Sequence, residues 1–191
     1  MPWSLAFYGV EQPSKLRVVM LNLILVSCGL WGYGWWADFV PSSEWSELGF
    51  NISIVSTAVF IFIYYWALAS GRADFKPGIS MAAKILVILF LPGMVFLLFW
   101  IAITHGFADI ATQTLGKERT LTVELSKNHH DFKRNCDYQL EGYVIEKAMP
   151  NHVCITESEY GSLPEVGAYT LKTKETFLGF HIVNLNVVHD R

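Results

Sequence analysis

Two of the chain's three cysteines and three of its six histidines crowd into one stretch, "KNHHDFKRNCDYQLEGYVIEKAMPNHVC", which runs from Lys127 to Cys154. Its two thiols, Cys136 and Cys154, offer a disulfide, a metal site or two separate thiols. A zinc site needs a C-x-x-C or a spaced Cys/His quartet, and neither is present. His129, His130 and Asp131 form the densest group of metal-ligating types. Adjacent residues on a strand point to opposite faces, so these three chelate only from a loop, and a solvated turn is the simpler reading. Lys127, Lys133 and Arg134 would reach lipid phosphates if that turn faces a membrane.

Nucleophile and cofactor signatures are missing. The chain has no G-x-S-x-G, H-E-x-x-H, Walker loop or G-x-G-x-x-G. The serine of "EYGSLPE" is ordinary turn chemistry, and Glu157 and Glu159 read as surface solvation. No cofactor and no nucleic-acid partner are expected. Enzyme activity has little support at this level.

The elements that must position the cysteines come from the rest of the chain. Charged residues make up 16% of its 191 residues, against roughly 25% in a soluble domain. Twenty uncharged residues separate Arg17 from Asp38, 24 separate Glu47 from Arg72, and 24 separate Lys84 from Asp109. At about 1.5 Å per residue, each run crosses a hydrocarbon core roughly 30 Å thick. The runs are apolar all round, which suits lipid rather than one face of a soluble core. Three transmembrane helices are expected, at about 17–38, 50–70 and 83–105, inside a membrane region spanning 17–108. The "LVSC" stretch ending at Cys28 resembles a lipoprotein cleavage site. However, the charged lead-in is long and the apolar run continues past Cys28, which suits a helix better than a removable signal.

Basic residues in short flanking loops set orientation. Lys15 and Arg17 precede the first span, Asp38, Glu44 and Glu47 follow it, and Arg72, Lys76 and Lys84 follow the second. This alternation places residues 1–16 in the cytoplasm and everything after the third span outside. Trp31, Tyr33, Trp35 and Trp36 read as an aromatic belt at the outer end of the first span. Cys28 with Gly32, and Ser53 with Thr57, are small pairs four apart that allow close helix approach. Pro92 marks an expected kink in the third helix.

Residues 109–191 differ in composition, with nine Lys/Arg and twelve Asp/Glu. Runs at 119–126, 138–147, 152–156, 166–173 and 177–188 are rich in β-branched and aromatic residues and separated by turn residues. They predict a small antiparallel β domain, an open sheet or a partial barrel, on the extracytoplasmic side. The last run serves as a core strand or as an edge that pairs with a partner. A domain of this size gains from a staple, and an oxidising compartment preserves one. Cys136 and Cys154 are therefore expected to form a structural disulfide.

The fold class is thus three transmembrane helices followed by a small antiparallel β domain, in a bacterial inner membrane with the β domain in the periplasm. This architecture fits a non-enzymatic protein that binds a protein partner, in its concrete form an immunity protein against a membrane-targeting toxin. An accessory or assembly subunit of a larger transport, secretion or envelope complex is the alternative, and a membrane enzyme with its site between helices and sheet is the weaker one.

Overall fold

In a computed structural model the chain is described over residues 12–72, 75, 78–129, 136–149 and 151–187. Three helices in it are long and apolar enough to cross a membrane, which marks a membrane protein by length and composition. Helix α1 spans Lys15–Gly34 and α2 spans Ser43–Ala69. The third comprises α3 (Met81–Ile101), a π-helical segment (Ala102–Phe107) and α4 (Ala108–Leu115). Each span starts on a serine. The hydroxyls of Ser14, Ser42 and Ser80 accept from the backbone N–H three residues on, satisfying donors that a helix start leaves open.

The helices touch through a small cluster of Phe60, Val95 and Phe99, flanked by Met20, Ile24 and Leu91. Most of their apolar surface stays uncovered, as at Phe62, which is 72% exposed. Helices meant for water would not leave such rings open; lipid covers them at no cost. Of the two small-residue pairs, only Ser53 and Thr57 are buried. Cys28 is exposed and Gly32 has open space around it, so that pair does not join helices within the chain. The close contacts come from glycines not singled out from sequence. A side chain at Gly106 would fall on the Leu30 carbonyl, and one at Gly49 would meet Thr104.

Past the helices the chain forms a curled antiparallel sheet of six strands among the described residues. They are β1 (Phe39–Pro41), β2 (Lys117–His129), β3 (Tyr138–Glu141), β4 (Val153–Cys154), β5 (Val166–Thr176) and β6 (Gly179–Val187), in the order β1-β6-β5-β2-β3-β4. The five runs expected as strands are all represented. The sixth strand was not expected and comes from the first loop: Phe39, fully buried, enters β1 and pairs with His181. Two expected runs shorten. Residues 142–147 leave β3 for a 3-10 turn at Tyr143–Ile145, and the 152–156 run keeps only Val153 and Cys154 as strand. At the first break Gly142 packs where a side chain would collide with Leu125.

Curling brings the two edges of the sheet together. Val40 on β1 shares one core with Leu140 on β3, alongside Val123, Leu125, Ile145, Tyr169, Leu171 and Ile182. Lys147, in the β3–β4 connection, donates to Ser43 Oγ at the start of α2. The last run is both core and edge. Ile182 is buried and its N–H donates to the Asp38 carbonyl, yet beyond Ile182 no described strand pairs with β6 on that side. Burial pushes the Tyr169 phenol up from its ordinary range.

Candidate functional site

Two places gather polar and aromatic side chains, one at each end of the sheet. The first is the junction with the helices. The π-helical segment widens one turn of the third span, packed backbone to backbone against the last turns of α1 through Gly34 and Gly106. Such insertions commonly re-aim side chains at functional positions. Here Asp109 follows, with no solvent exposure at all.

Its carboxylate is fully engaged. His181 Nδ1 donates to Oδ1 at 2.7 Å. The Tyr33 hydroxyl donates to Oδ2 at 2.5 Å, and Gln113 Nε2 donates to the same oxygen at 2.8 Å. Gln113 also donates to the Tyr33 hydroxyl at 2.7 Å. The network therefore joins α1, α4 and β6. A buried carboxylate without such partners is strongly unfavourable, so the arrangement acts first as a clamp. Around it Lys174 donates to the Gln113 carbonyl at 3.0 Å, and the hydroxyls of Thr112 and Thr176 meet at 2.8 Å.

Asp38 sits nearby on the accessible rim. The protein mass around it pushes its carboxyl above the usual range, while His181 and His152 pull it back and Asp109 adds to the rise. One turn before Asp109, His105 is buried and its Nδ1 has no partner among the described residues. His181 keeps 20% of its side chain exposed, and its Nε2 makes no hydrogen bond to the described residues.

The second place is the far end of β2, roughly 40 Å of strand from the end of α4. The rings of His129 and Tyr138 stack at 5.0 Å, Tyr138 and Tyr160 lie 4.9 Å apart, and the Lys127 ammonium stands 4.7 Å over the Tyr160 ring. Such a cation over an aromatic face is attracted to the ring's negative quadrupole. His129 Nδ1 also contacts the Asp137 carbonyl at 3.0 Å. Tyr160 rides on α5 (Glu157–Ser162), held by a capping box between Thr156 and Glu159. Those hydrogen bonds hold the Glu159 carboxyl below its ordinary range. The Tyr138 phenol is raised, by the surrounding protein first and by the Glu157 carboxylate beside it.

Cys136 and Cys154 brace this end with a disulfide, Cα to Cα 5.4 Å, where β3 and β4 set Gln139 opposite Cys154. With His152 the two sulfurs form a three-ligand cluster within 4.8 Å, but bonded sulfurs are not thiolates and hold no metal. Of the residues singled out from sequence, Lys127, His129, Cys136 and Cys154 meet here. His130, Asp131, Lys133 and Arg134 lie outside the described residues. Lys127 is turned to the Tyr160 ring, at the end of β2 opposite the one that follows α4.

Sequence reasoning missed the junction. Asp109 had served only to end an uncharged run, Tyr33 only as a belt residue. The available signal was an Asp and a Gln four apart at the very end of an apolar span, which on a helix share one face. No family model, curated protein or solved structure matches the chain.

Proposed function

We propose that the chain is a non-enzymatic protein of a bacterial inner membrane that binds a protein partner through the far end of its sheet. In this reading the N-terminus is cytoplasmic and the sheet stands in the periplasm. The basic–acidic–basic order of the loops supports that orientation, and a disulfide suits an oxidising compartment. The observation that carries the binding reading is the aromatic and cationic patch of Lys127, His129, Tyr138 and Tyr160 braced by Cys136–Cys154. Tyrosines fixed by their surroundings supply large contact area with little entropy to lose, which is the usual make-up of an interface anchor. An immunity protein against a membrane-targeting toxin is the concrete form. An accessory or assembly subunit of a larger transport, secretion or envelope complex uses the same surface.

Affinity purification from native membranes in mild detergent tests this, with the wild type beside a Tyr138→Ala/Tyr160→Ala variant. The reading expects a stoichiometric partner with the wild type and its loss from the variant. Equal recovery from both, or no partner from either, contradicts it. A toxin partner with harm on deletion only when the toxin is present identifies immunity; a constant larger assembly identifies the subunit.

One observation favours a membrane enzyme as the second reading. The Asp109–His181 pair orients an imidazole with Nδ1 occupied and Nε2 open, the arrangement a general base requires. Against it, both carboxylate oxygens and the Tyr33 hydroxyl are already consumed by internal hydrogen bonds.

A further inference from the structure

The β5–β6 turn, "TFLG" at 176–179, splits its two apolar residues between opposite environments. Leu178 turns inward and is buried with Ala37, Phe39, Trp45 and Ala108. Phe177 turns outward and is 79% exposed. Gly179, at φ +147, makes the turn possible, and its missing side chain lets the Val40 carbonyl pack against it. One exposed ring alone would need no explanation; what matters is whether it continues a larger apolar surface.

The turn is fixed at the start of a membrane helix. Ser42, the N-cap of α2, donates its hydroxyl to the Phe177 carbonyl at 2.9 Å and its N–H to the Leu178 carbonyl at 2.9 Å. The Phe177 ring meets Trp45, in the first turn of α2, edge to face at 6.3 Å. The Thr112–Thr176 hydrogen bond fastens the same turn to α4. Trp36, immediately beyond α1, is 73% exposed. Phe177 thus stands level with the ends of the spans, where their uncovered apolar surface begins. The third span, 35 residues from Met81 to Leu115, is about 52 Å long. That exceeds a hydrocarbon core of roughly 30 Å, so the span reaches beyond the core, and the turn is attached at its α4 end.

We propose that the β5–β6 turn is a lipid-contacting seat: Phe177, with Trp36, inserts into the headgroup–acyl boundary and rests the sheet on the bilayer. The occupant is lipid because the exposed rings continue the lipid-facing surface of the helices they are bonded to. Aromatic rings favour that depth, and interfacial elements bury about 5–10 Å into it. The seat rests on the reading of α1–α3 as membrane spans, not on any protein partner. It gives the sheet a fixed distance and tilt over the membrane in addition to the Asp109 clamp.

The test uses the full chain in phosphatidylcholine vesicles, in a Cys28→Ser background with the disulfide intact. Phe177→Cys and Trp36→Cys each carry a fluorescent label, with Val183→Cys on exposed β6 as the aqueous reference and Phe62→Cys as the in-span reference. Labels at 177 and 36 are expected to be quenched by shallow nitroxide lipids and several-fold less by iodide than the label at 183. Either site suffices if the other substitution prevents folding. Iodide quenching equal to that at 183, without quenching by shallow nitroxide lipids, overturns the seat. If the label at 62 also escapes deep nitroxide lipids, the membrane reading itself fails; if only 177 and 36 escape, the seat alone fails.

Discussion

At the helix end of the sheet, Tyr33, Gln113 and His181 close around a carboxylate that water does not reach. At the other end His129, Tyr138 and Tyr160 gather beside Lys127 next to the disulfide. Both groups pair aromatic and charged residues, yet one surrounds a carboxylate with no solvent exposure and the other stacks its rings at the surface. A group whose hydrogen bonds all point inward holds elements together. A set of braced, half-exposed rings has surface left for another molecule. The contrast separates what keeps the sheet on its helices from what the sheet presents.

The strongest way to break the contrast is Asp109→Ala. It removes three hydrogen bonds to a charged group, at about 1.5–3 kcal/mol each, and since Tyr33, Gln113 and His181 keep access to solvent the net loss is about 3–5 kcal/mol. Chemical denaturation in detergent should give a large fall in the midpoint, with far-end binding intact in whatever remains folded. A small effect would mean that the junction is not a clamp. Removing the disulfide with Cys136→Ser/Cys154→Ser comes next, at about 3 kcal/mol in the chain-entropy model. Protease cleavage should then rise within residues 136–154 while the helices stay protected. Cleavage spreading evenly through the chain would show that the staple is not local.

How much of this was legible in the sequence follows from the range of each interaction. The spans were readable because absence of charge over twenty residues is a local property; the disulfide was readable because the cysteines flank one turn. The β1–β6 pairing was not, since Phe39 and His181 lie far apart in sequence and "DFVPSSEW" reads as a plain loop. Likewise Tyr33 and His181 become partners of Asp109 only after the sheet curls back over the helices. The sequence also gave His129 a choice of metal or solvent, whereas a stacked Tyr138 ring was its neighbour.

Smaller substitutions sharpen the comparison. Tyr138→Ala should weaken partner binding by about 2 kcal/mol or more, roughly thirtyfold or more in affinity, with little change in stability; the reverse pattern would make the ring part of the core. Thr156→Ala removes the cap of α5 and should cost about 1 kcal/mol, read as earlier local melting around Tyr160. The same cap gives a pH dependence. Glu159 is held below its ordinary range in the folded chain, so its contribution is present above the ordinary carboxylate range and is lost as pH falls through the depressed value. Thr156→Ala should flatten that acid limb, and an unchanged limb would contradict the assignment.

The central claim, that the stapled end of the sheet faces the periplasm, meets its most direct test in thiol labelling of intact cells with a membrane-impermeant reagent. The account predicts that Cys136 and Cys154 label from outside only after reduction, while Cys28 within the span stays unlabelled. Labelling that appears only once the cytoplasm is opened would contradict it.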